Sequence, residues 1–247
     1  MLRRSGGPVC LLVNGITRRV ADCSVSLAER ATKIRVADVE LLTVEHLFAA
    51  LGALGVYEGL EIEVEGVELP LLDGGSKAYA DAIVSLGCAP SATPLRVTRD
   101  GVVDVEGSRY TFSVGEQRTV RVDIRFGDAR LAPTAEWPGE SKDFIERIAS
   151  ARTFAPEADV ARLMDAGLAS HVTKESVVVI GKAQILSAGA PFLADEPARH
   201  KLLDLMGDLY LYGGPPVGRV HAEKPGHSRT HQAMRRALGE GIVAKVT

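Results

Sequence analysis

Glu196-Pro-Ala-Arg-His-Lys-Leu-Leu-Asp-Leu-Met-Gly-Asp-Leu-Tyr-Leu211 reads as a helix with ligand-type side chains along one flank. Asp195 offers a capping carboxylate, Glu196 puts negative charge at the positive end of the dipole, and Pro197 falls where no amide donor is missed. Leu202, Leu203, Met206, Leu209 and Tyr210 recur at helical spacing, so that arc is expected to face a core. His200, Asp204 and Asp208 lie off the arc. At about 1.5 Å of rise per residue, His200 and Asp204 stand one turn apart, and both tips can reach one ion. An imidazole and a carboxylate at this spacing suit zinc. The same pair on a wet helix face is also satisfied by solvent alone.

Two further stretches bear on that choice. Thr43-Val-Glu-His-Leu-Phe-Ala-Ala-Leu51 predicts a helix with Thr43 as N-cap, a stripe of Val44, Leu47, Phe48, Leu51 and Leu54, and a stop at Gly55. Glu45 and His46 fall in its first turn, off the stripe; alone, they read equally as a capping glutamate and a partly buried histidine. Near the other end, Val217 to His221 reads as a strand leading into Lys224-Pro-Gly-His227. Between these lie Pro70-Leu-Leu-Asp-Gly-Gly-Ser76, in which Asp73 and Ser76 read as turn and cap residues, and Ala151-Arg-Thr-Phe154.

Taken in this order, the motifs make the chain, from about Thr32 to the C-terminus, resemble the UDP-3-O-acyl-N-acetylglucosamine deacetylase (LpxC) family. The resemblance implies Zn2+, with Fe2+ as the alternative, held by His46, His200 and Asp204. It implies Glu45 as general base, and His227 opposite it as donor to the leaving amine or as positive charge near the oxyanion. Asp208 would orient His227, and Thr153 would hydrogen-bond the reacting carbonyl oxygen. Lys201, about 100° round the helix from its neighbour, would contact substrate or the base; a solvated lysine is the alternative. The implied reaction removes acetate from an N-acetylated amino sugar, UDP-linked and 3-O-acylated, in lipid A synthesis. A different N-acetyl sugar, or a zinc-binding role without catalysis, are the rival readings.

The family's fold implies an α+β chain of two similar sheet-plus-helices domains packed face to face, with the site between them. The small, proline-bearing Cys88-Ala-Pro-Ser-Ala-Thr-Pro94 is the best linker, dividing the chain into 1–89 and 95–247. A βαβ-type insert at about 153–182 would wall an apolar passage for an acyl chain. Within it, a helix is expected over 157–166, followed by Ser170-His-Val-Thr-Lys-Glu-Ser176 where the family has a Gly-Gly-Ser turn. The family's early Gly-Leu-His-Ser/Thr-Gly motif has no counterpart, so the first domain is expected to be shortened.

Local patterns supply the other elements. Asn14-Gly15 predicts a hairpin after Val9–Val13, its second run passing through Val20, Cys23 and Val25. Leu60-Glu-Ile-Glu-Val-Glu65 alternates as a strand with one wet face, and Ala78 to Leu86 reads as an amphipathic helix. Leu95–Val105, Arg109–Val114 and Thr119–Phe126 read as antiparallel strands, with Val120, Val122 and Ile124 inward. Lys142–Ser150 is expected to be a helix, Ser176–Ile180 a buried strand, and about Arg229 to Leu238 the closing helix. His171, His221 and His231 are expected to be structural; a His227/His231 metal pair is disfavoured because His227 would precede the helix that His231 joins.

Composition agrees with an enzyme of small molecules. With 247 residues, 46% of them hydrophobic, the chain can bury a sizeable core. A net charge of −3 and a pI near 6.1 argue against nucleic acid as the main partner. Cys10, Cys23 and Cys88 are odd in number and far apart, which fits buried thiols in a reducing compartment. No run approaches the roughly 20 apolar residues of a membrane span. A cytoplasmic monomer is expected, touching a membrane surface only transiently to take an amphiphilic nucleotide-sugar.

Overall fold

The computed structural model describes residues 1–26, 31–160 and 173–246. Asn14-Gly15 joins β2 (Cys10–Val13) to β3 (Ile16–Arg19) with φ of 49° and 79°. Both residues being left-handed is the two-residue hairpin turn that follows strand twist. β3 stops at Arg19, earlier than expected. Val20–Asp22 then forms a 3-10 turn, and Val25 joins a separate strand, β4 (Ser24–Ser26). β7 (Glu58–Val64) runs parallel to β2 and antiparallel to β1 (Leu2–Pro8). Its alternation is as read, with Leu60, Ile62 and Val64 buried. β1 has no apolar alternation to announce it and is exposed over most of its length. β4, β5 (Lys33–Val36) and β6 (Val39–Leu42) make a small antiparallel sheet.

Above these strands lie α1 (Glu45–Leu54) and α2 (Lys77–Ser85). Gly55 ends α1 at φ 69°, as expected. Thr43 does not cap it: its φ is 59°, and its hydroxyl donates to Glu68 Oε1 at 2.8 Å. α1 is buried on all faces, since Glu45 through Ala53 are all covered. The same holds for α4 (Glu196–Tyr210), where Lys201 alone is partly exposed. The solvated reading of the His200–Asp204 pair therefore does not hold, because α1 and α4 pack against each other and leave neither with a wet flank. Their approach is close at Gly207, where a Cβ would stand 2.1 Å from the Glu45 carbonyl oxygen.

The second half holds a five-stranded sheet ordered β12 (Thr134–Trp137), β11 (Arg118–Asp123), β16 (Gly218–Glu223), β10 (Ser108–Ser113), β9 (Gly101–Val105). β11 and β10 are not neighbours, contrary to the local reading. β16 enters between them, parallel to β11 and antiparallel to β10. The single strand expected over 95–105 is divided, and β8 (Leu95–Val97) instead pairs with β17 (Val243–Lys245). Val120, Val122 and Ile124 do point inward.

α3 (Ser141–Asp143) continues as a π-turn over Phe144–Ile148. β13 (Thr153–Pro156) runs parallel to β14 (Val177–Ile180), which pairs with β15 (Ile185–Ser187). Most of the helix expected over 157–166, and His171, lie outside the described residues. α5 (His227–Gly239) starts two residues before the expected Arg229. All three cysteines are free.

Candidate metal centre

His46, the second residue of α1, meets His200 and Asp204 of α4 in the buried space between the two helices. Each ring is held from behind by a carbonyl: His46 Nδ1 lies 3.1 Å from Gly75 O, and His200 Nδ1 lies 2.9 Å from Ala151 O. A carbonyl only accepts, so both protons sit on Nδ1 and both Nε2 lone pairs face inward. Asp204 Oδ1 stands 3.4 Å from His200 Nε2 and 3.9 Å from His46 Nε2. Atoms sharing one tetrahedral zinc at about 2.0–2.2 Å lie roughly 3.3–3.6 Å from one another. The three tips therefore need only a small adjustment to share an ion.

The hydrogen bonding supports the same fit. Asp204 Oδ2 accepts from Lys201 Nζ at 2.7 Å, whereas the buried Oδ1 has no hydrogen-bond donor among the described residues. An unmatched carboxylate oxygen facing two imidazole lone pairs is costly unless a cation joins them. Burial, followed by the neighbouring His200, pushes His46 down to about 3, and burial lowers His200 too. Both are thus neutral near pH 7, as ligands must be. Burial pushes the Asp204 carboxyl up, but Lys201 and the three histidines outweigh it and hold it well below the usual range.

Across from these ligands stand Glu45 and His227. Glu45 Oε1 lies 3.9 Å from His227 Nε2, and Asp204 Oδ2 lies 3.8 Å from the same nitrogen. Burial raises the Glu45 carboxyl to about 7, against the pull of His227. Burial would lower His227, but the Asp208 and Glu45 charges raise it to about 9. His227 Nδ1 is 3.1 Å from both Asp208 oxygens. Glu45, Asp204 and His227 also form a second group whose ligand atoms lie within 4.8 Å of one another. Because α5 begins at His227, His231 stands one turn further along; its Nε2 is 3.4 Å from Asp208 Oδ1. The two histidines thus converge on a carboxylate.

A cleft of about 730 Å3 opens onto this centre. Every expected site residue lines it except Asp208, which sits behind His227. Thr153 is at the start of β13, its amide donating to Gly74 O at 2.7 Å. Lys201 Nζ lies 5.7 Å from the centre of the Phe154 ring, and Phe126 meets that ring edge-on at 5.3 Å. His221 is remote on β16, with Nε2 2.6 Å from Asp123 Oδ2.

Sequence reasoning missed three participants. Ser76 holds the N-cap position of α2 but its side chain caps no amide there; its hydroxyl donates to the His46 carbonyl at 2.6 Å. Arg152 forms a buried ion pair with Glu196 at 2.7 Å, although Glu196 reads in sequence as a helix-start charge. Thr32 touches Glu45, Asp208 and His227. Its nearest such partner is 13 residues away in sequence and another is 176 away, so no local pattern announces it.

Comparison with known proteins identifies the chain's relatives. The family model described as "LpxC: UDP-3-O-acyl N-acetylglycosamine deacetylase" matches residues 13–239. A Myxococcus xanthus protein named UDP-3-O-acyl-N-acetylglucosamine deacetylase is 32% identical over 220 residues, covering 82% of this chain and 65% of its own length. Proteins of the same name from Pseudomonas entomophila and Brucella ovis are 30% and 32% identical, covering 82% and 96% of this chain and 69% and 81% of their own. The chain thus spans slightly under two thirds of the Myxococcus relative. Match length and site geometry together lead to one assignment: the chain belongs to the LpxC family of UDP-3-O-acyl N-acetylglycosamine deacetylases.

Proposed function

We propose that the protein is a zinc-dependent deacetylase that hydrolyses the acetamide of UDP-3-O-acyl-N-acetylglucosamine in lipid A synthesis. The observation that carries this reading is the convergence of His46, His200 and Asp204, with Asp204 Oδ1 left without a hydrogen-bond donor beside the two histidine lone pairs. Zinc, when bound, supplies a Lewis acid that polarises the acetamide carbonyl and acidifies water. Glu45 Oε1 takes the proton of the attacking water; its raised carboxyl is matched to a base working near neutral pH. His227 Nε2 delivers a proton to the departing amine, and its raised pKa keeps that proton available.

Thr153 and Lys201 face the reacting carbonyl and the substrate from the cleft wall. Phe126 and Phe154 offer an apolar side for the acyl chain. The site falls between residues 1–89 and 95–247, which we read as two domains meeting face to face through α1 and α4. No helix of the described residues is long and apolar enough to cross a membrane.

Metal analysis with an acetate-release assay tests the reading. Asp204→Ala should lose both metal and activity. Glu45→Ala should keep metal while turnover falls by about 100-fold or more, the scale of a lost general base. Release from UDP-3-O-acyl-N-acetylglucosamine should far exceed release from simple N-acetylglucosamine oligomers. Full turnover by both variants would end the assignment.

A further inference from the structure

Glu45 and His227 sit on different helices, yet their facing atoms stand 3.9 Å apart. A base and an acid that handle protons on one amide need that gap held, because misplacement by about 1 Å can cost a hundredfold. α1 and α5 carry these two residues at their first turns, and both side chains are buried. A group that touches both would hold the spacing between them.

Thr32, just ahead of β5 and 1% exposed, touches both arms. Its backbone N–H donates to Glu45 Oε2 at 2.9 Å, which leaves Oε1 as the atom turned towards His227. Its hydroxyl donates to Asp208 Oδ1 and lies 3.1 Å from His227 Nδ1. A hydroxyl has one proton. With that proton on the carboxylate, the oxygen offers its lone pair to the imidazole N–H. His227 Nδ1–H therefore meets three acceptors at 3.1 Å, two on Asp208 and one on Thr32. This selects the form in which Nε2 faces the cleft.

We propose that Thr32 is a positioning residue that sets the base-to-acid spacing, with its amide fixing Glu45 and its hydroxyl fixing His227 through Asp208. A buried threonine acting only in stability would serve folding without influencing the imidazole. The kinetic part of the test rests on the deacetylase reading; the spectroscopic part does not.

The variants are Thr32→Val and the smaller Thr32→Ala, either of which suffices if folded, and Thr32→Ser, which keeps the hydroxyl. In metal-free protein with 15N-labelled histidine, the Nδ1 proton of His227, identified by its loss in His227→Gln, should shift or vanish in the Val or Ala variant and return in Thr32→Ser. With zinc bound, kcat for acetate release should fall about 10- to 100-fold, the range for lost orienting partners. KM and metal content should stay unchanged, and serine should restore most of the turnover. An unchanged His227 resonance in the folded Val or Ala variant overturns the proposal whatever the rate. A wild type that releases no acetate but shows the Thr32-dependent resonance supports the positioning role and overturns only the deacetylase reading.

Discussion

Asp208 is a single carboxylate that accepts from the Thr32 hydroxyl and from His227 Nδ1, with His231 Nε2 3.4 Å away. Burial pushes its carboxyl up, but His227 and His231 together hold it well below the ordinary range, so it stays ionised. The reciprocal effect on His227 has a kinetic consequence. In the proposed mechanism His227 works as a donor while protonated, and burial alone would lower its pKa; Asp208, then Glu45, raise it to about 9. The protonated form therefore persists through neutrality and is lost as pH rises past that value. Asp208→Asn removes the larger raising charge, so the imidazole should lose its proton at lower pH. Profiles of kcat against pH should show the alkaline limb moved towards acid, with metal content intact; a limb that stays in place would mean that His227 does not set it.

Among the elements, the turn over Gly74, Gly75 and Ser76 packs between His46 of α1 and the Ala149–Ala151 segment whose carbonyl orients His200 of α4. Gly75 O holds His46 and Ser76 Oγ grips the His46 carbonyl, while the Ser76 amide donates to Ala149 O. An added Cβ on Gly75 would lie 2.4 Å from Ala149 O and 2.8 Å from Ala151 O, and the second of these is the carbonyl that orients His200. Gly75→Ala should therefore disturb both histidines at once. Zinc affinity, measured by competition with a chelator, is expected to weaken about 10- to 100-fold, with the circular dichroism spectrum retained. How much of this was legible in sequence follows from range. His200 and Asp204 are four residues apart, so helix geometry alone pairs them, and Asn14-Gly15 writes its hairpin in two residues. The covering of α1 by α4, the entry of β16 between β11 and β10, and the reach of Thr32 depend on residues far apart in the chain. Periodicity reports which side of a segment is apolar and says nothing of what lies against its polar side. Hence the candidate ligands can be picked out in the sequence, while the burial of their flanks and the residues behind them cannot.

At the scale of the whole molecule, the strands β13 and β15 must be tied to the start of α4 if the cleft wall is to keep its place beside the candidate metal ligands. Arg152 makes this tie. Its amide and Nε donate to Glu196 Oε1 at 3.1 and 2.7 Å, and a terminal nitrogen donates to Oε2 at 3.1 Å. The rest of the guanidinium reaches Ala188 O at 2.9 Å, Ser187 Oγ at 2.8 Å and Ala190 O at 3.3 Å. Side-chain exposures of 6% and 5% place the pair in the interior, where each charge depends on its partner. Removing one charge leaves the other buried and uncompensated, at a cost of about 3–5 kcal/mol. Removing both takes away the desolvation of two ions together with their attraction, and those effects nearly cancel. Urea unfolding should therefore find Arg152→Met strongly destabilised, and Arg152→Met with Glu196→Leu less destabilised than the sum of the single variants. Additive losses would mean that the two charges act independently and that the link between cleft wall and metal helix is carried by other contacts.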